Sequence, residues 1–197
     1  VNVGGLITVH SDYGFAAGVQ VTADDTITVE TADITATADA GSAFGLDLDS
    51  NYGDISVTVD GDLSIGAPGG SSSAFGMDLS AGGAIDVVMT GDIDAQGGWA
   101  AYGVLAQGLD NVSVDIDGAI TVDAQGNATG ARADSQYGSA YAYVVDVDVF
   151  AYGTAVGVTV VGQTGATAVS TGQVTSSGVG VSARSNLGAA TATVVDV

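Results

Sequence analysis

Cysteine is absent from this chain, lysine is absent, and arginine occurs only at Arg132 and Arg184. Each gap closes off a class of molecule. Without cysteine there is neither a disulfide framework nor thiolate chemistry. Two basic residues against 23 acidic ones leave a net charge of −21, and such a chain cannot neutralise phosphates, so nucleic acid is excluded as a partner. No apolar run approaches the roughly 18 residues of a membrane helix, and no basic-then-apolar leader opens the sequence, so no membrane insertion of this segment is expected. His10 is the single histidine and Trp99 the single tryptophan. A Ser-His-Asp centre would have to be built around His10, and nothing near it in sequence supplies a nucleophile. Its expected place is the outer surface of a strand.

What is abundant is glycine, with 31 residues against one proline, and 46% of the chain is hydrophobic. That much apolar surface is incompatible with a disordered acidic tail. The glycines recur in one phrase: SAFGLDL at Ser42, SAFGMDL at Ser73, AAYGVLA at Ala100, NATGARA at Asn127 and TAVGVTV at Thr154. Gly45, Gly76, Gly103, Gly130 and Gly157 are spaced by 31, 27, 27 and 27 residues, with weaker copies at Gly18 and Gly180. A fixed period in this range marks stacked repeats.

Within each unit, three short alternating runs are separated by Gly, Asn or Asp, which predicts three strands per repeat. Aligning Gly61, Gly91 and Gly118 brings Ile55, Ile85 and Val112 into one column, then Val57, Val87 and Val114, then Val59, Met89 and Ile116. Leu63, Ile93 and Ile120 continue this inner set beyond the glycine. Ser56, Asp86, Ser113, Thr58, Val88 and Asp115 fall between them on the outer face. The expected fold is all-β: a three-sided parallel β-helix of about seven coils of ~27 residues, right-handed by the general preference of parallel crossovers. Residues 1–197 should form a single continuous solenoid without obvious caps. Phe44, Phe75 and Tyr102 are expected as a packing column of core aromatics, with the neighbouring glycine at a tight corner. Strict counting turns Tyr141 and Tyr143 inward, which predicts a bulge or an aromatic layer there.

The pattern A-Y/F-G-x-x-A, then alternating V-x-V, then G-x-I-T/D-x-x-A-x-G, resembles the passenger repeats of bacterial autotransporters and related surface adhesins. Ala100, Tyr102, Gly103, Gly118, Ile120, Thr121, Ala124 and Gly126 carry the match most fully, and the likeness covers roughly residues 15–197. It implies an extracellular β-solenoid at the bacterial cell surface. A translocator barrel and a linker to one are not recognisable in this sequence. A transmembrane barrel would suit the positive mean hydropathy, but it needs strands of about 9–11 residues and aromatic girdles, whereas the alternating runs predict strands of about five or six residues and the seven tyrosines form no such bands.

Chemistry-bearing patterns are sparse. Aspartates on the outer strands are expected as a solvated face, and no enzyme is predicted. The stretch from Asp47 offers Asp47, Asp49, Asn51 and Asp54 as oxygen donors for calcium, at the spacing that opens an EF-hand loop. Tyr52 replaces the glycine at position six and Thr58 the closing glutamate, so only a looser turn site is open; no cofactor is required. The T-x-T pairs at Thr26, Thr28, Thr35 and Thr37 raise ice as a target, but later units carry Asp or Val instead. A carbohydrate-binding face needs a groove that Trp99 alone does not establish.

The chain starts in the third-strand phrase (GGLITVHSDYG) and stops just before it (TATVVDV), with no initiator methionine. That phase fits head-to-tail self-stacking into a rod or filament, or a fragment of a longer adhesin passenger. A structural or adhesive surface protein, contacting itself and host or environmental surfaces, is the leading expectation.

Overall fold

Residues 1–195 are described by a computed structural model of the chain. Among them there is no helix, and every strand pairing is parallel. The first face stacks seven strands: Ala16–Ala23, Ala43–Ser50, Ser73–Ala81, Ala100–Gly108, Asn127–Ser135, Ala155–Gly162 and Val179–Ser185. The second stacks Ile27–Thr31, Ile55–Asp60 and Ile85–Thr90 beneath the first half of the long strand Val112–Ala124. The third stacks Ile7–Ser11, Ile34–Ala38, Leu63–Ala67 and Ile93–Gly97 beneath the second half of that strand. The protein is therefore a parallel β-solenoid of about seven turns, each rising roughly 4.8 Å.

Matched columns explain why the sequence folds this way. Val57 pairs with Val87 and Val87 with Val114; Ile55, Ile85 and Val112 align likewise, as do Leu63, Ile93 and Ile120. All nine are buried. Of the predicted outer residues, Thr58, Asp86, Val88 and Asp115 are exposed, and Ser56 and Ser113 are half-buried. A single coil covers only half of its own inner face, and the next coil covers the rest with the same residue types. The buried cluster consequently runs unbroken from Ala16 to Ala168.

Two expectations about the repeat phrase need correction. Gly45 and its equivalents do not turn a corner; they lie in the middle of first-face strands. Pairing passes from Phe44–Phe75 to Leu46–Met77, skipping the glycines, and both Gly45 and Leu46 face inward. This local kink turns the preceding aromatic outward, so Phe44, Phe75 and Tyr102 are half-buried outer residues rather than core. They do pack on one another, with ring centroids 4.8 and 5.0 Å apart and planes within 10°. Glycine is required here by close approach: a Cβ at Gly45 would meet Gly76 O at 2.5 Å and Ile65 Cδ1 at 3.0 Å, and the same clash recurs up the column.

Tyr141 and Tyr143 likewise do not point inward. Ala140, Ala142 and Val144 fill those inner positions. Where the coil below has Asp117 and Gly118, this coil has only Val145, so pairing resumes one residue out of step between Ile116 and Ala119. Counting across that deletion inverts the frame.

The corners are held by side chains that reach to the adjacent coil. Asp33, Asp62, Asp92 and Asp146 each use Oδ1 to accept the backbone N–H of the next coil, from Asp62, Asp92, Ala119 and Gln173 at 2.7–2.9 Å. Asp54, Asn111 and Asn127 do the same for Ala84, Ser139 and Thr154. These residues are structural, whereas the outer-strand aspartates Asp86, Asp115 and Asp148 are solvent-exposed as expected. At the corner between the first and second faces, which Asp54 and Asn111 also hold, Ser50, Ser135 and Ser185 donate to carbonyls of the preceding coil and accept N–H from Gly53, Gly138 and Gly188 three residues on. The four residues by which the longest repeat exceeds 27 contribute mainly to the loop Pro68–Ser72 between third and first faces.

Candidate functional site

The outer surface of the first face is the most differentiated part of the solenoid. Pairing places Gln20, Asp47, Asp78, Leu105 and Arg132 in one column, coil upon coil. Thr22, Asp49, Ser80, Gln107 and Asp134 form the next. Parallel in-register stacking forces like charges together: Asp47 sits directly below Asp78, one strand spacing away, with Asp49 two residues along the Asp47 strand and diagonal to Asp78. Gln20 donates to Asp47 at 2.7 Å, which fixes that carboxylate.

Asp78 has no such donor among the described residues, and Leu105 lies above it. Partial burial, followed by the Asp47 and Asp49 charges, raises its pKa to about 6. The shift has a defined sign. A carboxyl whose pKa is raised on folding favours the folded state when protonated, so its contribution is present in full below the unfolded value near 4 and is lost as pH rises through about 6. Asp78→Asn is therefore expected to melt higher than the wild type at pH 7, with the gap closing as pH falls to about 4. Thermal melts of both proteins across that window check this, and a gap independent of pH would contradict the assignment.

The aromatic ladder borders these columns. Because the three rings stack face to face, they turn edges to solvent, which suits packing more than the seating of a planar ligand. Further along the face, Arg132 Nη2 and Nε hold Asp134 Oδ2 at 2.6 and 2.8 Å. The other oxygen, Oδ1, is buried without a partner. Asp134 is one of the residues lining a cleft of about 330 Å³, with Ser80, Gln107, Gln136 and Val161.

The four calcium candidates divide between a strand and the turn that follows it. Asp47 and Asp49 stand on a strand, Asp47 held by Gln20. Asn51 and Asp54 lie in the following turn, where Asn51 donates to Asp24 and Asp54 accepts from Ala84. Among the described residues, one group of acidic and histidine side chains brings its ligand atoms within 4.8 Å of one another: His10, Asp12 and Asp39, all exposed. His10 is indeed an outer-strand residue. Its Nε2 lies 2.9 Å from Asp12 and 3.9 Å from Asp39, and Nδ1 lies 2.9 Å from Thr37. Sequence spacing concealed this group because Asp39 belongs to the next coil. The T-x-T pair of Thr35 and Thr37 faces His10 and Thr8 on one side, Ser64 and Gly66 on the other, so it does not repeat.

Fold and surface together define a class, the parallel β-solenoids. No family model, curated protein or solved structure matches this chain.

Proposed function

We propose that this chain is an extracellular structural or adhesive rod at a bacterial cell surface, able to extend end to end. The observation that supports it most directly is the uninterrupted stack itself. Three outer faces run the length of an apolar core with no element breaking them among the described residues. Such a body offers long, repetitive surfaces for many weak contacts, and the likeness to autotransporter passenger repeats favours the same setting.

The coil edges favour extension. Ile7 and Val9 at one end, and Val181 and Ala183 at the other, occupy inner columns yet are only half covered. Strand edges above an open core template another strand. A head-to-tail contact does not close on itself and so propagates into a filament. A further coil of a longer adhesin chain would satisfy the same edges. The high negative charge opposes side-by-side clumping.

Light scattering and negative-stain microscopy at rising protein concentration, with and without calcium, test the extension. Filaments one solenoid wide, promoted by calcium, are expected. Rods that stay monomeric throughout would overturn self-stacking and leave the longer-adhesin reading in its place.

A further inference from the structure

The edge where the third face meets the first gathers exposed aromatic residues that the core does not need. Tyr152 is 81% exposed, Trp99 59% and Phe150 50%. Beside Phe150 and Tyr152 lies an open cleft of about 310 Å³, lined by these two rings with Pro68, Gln96, Asp123 and Gln125. Pairing shows how it arises. Phe150 heads the outer column Gly66, Gln96, Asp123, Phe150, so a large ring stands where lower coils carry a hydrogen atom, an amide and a carboxylate. Phe150 and Tyr152 meet edge to face, with centroids 5.4 Å apart and planes at 76°, forming one wall. Pro68, from the loop that lengthens its repeat, marks the opposite limit.

We propose that this cleft binds a neutral oligosaccharide. Its chemistry is that of sugar recognition. Exposed ring surface is apolar and accepts the C–H face of a pyranose, while a patch of free aromatic side chains on a soluble surface otherwise costs solubility. Gln96 and Gln125 each offer paired donors and an acceptor, and Asp123 offers acceptors only, which together match vicinal hydroxyl groups. Neither arginine lines the cleft, Asp123 is negative, and the whole chain is strongly acidic, so an anionic sugar would be repelled. The volume falls in the range of small-ligand sites. From the Pro68 coil to the Tyr152 coil is three steps of roughly 4.8 Å, and the cleft is open at the surface, so a short linear glycan can lie along the rod axis. The proposal rests on the adhesive reading and gives it a ligand class.

The test uses the intact chain with cellotetraose, maltotetraose and laminaritetraose as neutral probes, tetragalacturonate as the acidic one, and an extended proline-rich peptide. Titration calorimetry measures binding. Fluorescence of Trp99, the single tryptophan, follows it, because Trp99 adjoins the cleft residue Gly98. At least one neutral tetrasaccharide is expected to bind in the micromolar to millimolar range and to change that fluorescence. Phe150→Ala and Tyr152→Ala are expected to weaken it by about tenfold or more, while Tyr52→Ala, an equally exposed tyrosine at another corner, leaves it unchanged. All three side chains are exposed, so melting temperatures should stay close to wild type and certify the fold. Failure of every neutral probe, equal or tighter binding of the acidic probe or the peptide, or full affinity in both cleft variants would overturn the proposal. Filament formation is read separately, so a negative result here leaves the rod reading standing.

Discussion

Adding one methyl group at Gly103 is expected to destabilise the solenoid by about 3 kcal/mol or more, the upper end of the cost of overpacking. The reason is positional. A Cβ there would come within 2.5 Å of Ile120 Cγ2 and closer still to Gly130 O. A side chain can yield by rotating, but a carbonyl locked into a strand ladder cannot move without displacing its own coil, and the coil above presents the same contact at Gly130 against Gly157 O. At this chain length the loss corresponds to a fall of about 6–12 °C in melting temperature. Gly66→Ala is the matched control, since a Cβ there would meet only Thr37 Cγ2 at 3.5 Å. It should be neutral or stabilise by up to about 1 kcal/mol through the lower entropy of the unfolded chain. Circular-dichroism melts of the two variants decide the matter, and equal melting temperatures would remove the close-approach explanation of the repeated glycine.

Val87→Asp should be still more damaging. Val87 is fully buried between Val57 and Val114, and a carboxylate there has no donor, at a cost of about 4 kcal/mol or more. Burial would push its pKa up, so acidification to about pH 4 should recover part of the loss by protonating it. Thr58→Asp, one position along the neighbouring strand and exposed, adds solvent-screened repulsion from Glu30 beside it and from Asp60 and Asp86 nearby on the same face, about 1 kcal/mol. Urea titration of both variants at pH 7 and pH 4 provides the comparison; similar midpoints at pH 7 would mean that inside and outside had been exchanged.

The inner columns were legible in the sequence because parallel, in-register stacking places like on like, so aligning repeats is the same operation as building the core. What failed to read out were departures from pure alternation. The mid-strand kink at Gly45 sends Phe44 outward, and alternation has no symbol for two successive inward residues. The missing residue opposite Asp117 and Gly118 inverted the frame for Tyr141 and Tyr143. The serine corners are visible as SNYG, SQYG and SNLG, yet their meaning depends on a carbonyl 22 to 25 residues away. Asp78 escaped notice for a related reason, since what perturbs it is first its burial in the stack and then the charges of Asp47 and Asp49, 31 and 29 positions earlier. The cleft joins residues of four coils and has no linear signature beyond a scatter of aromatics.

The cross-coil bonds from Asp33, Asp62, Asp92 and Asp146 each span only 27 to 30 residues, and the strand pairings reach 23 to 31, from Val156–Val179 to Ala43–Ala74. Every loop that must close during folding is therefore one coil long, whatever the length of the rod. The entropic cost of adding a coil does not grow as the structure extends, and each finished coil presents the acceptors and strand edge on which the next is laid. A chain delivered end first can thus fold as it arrives, one turn at a time, without waiting for its far end.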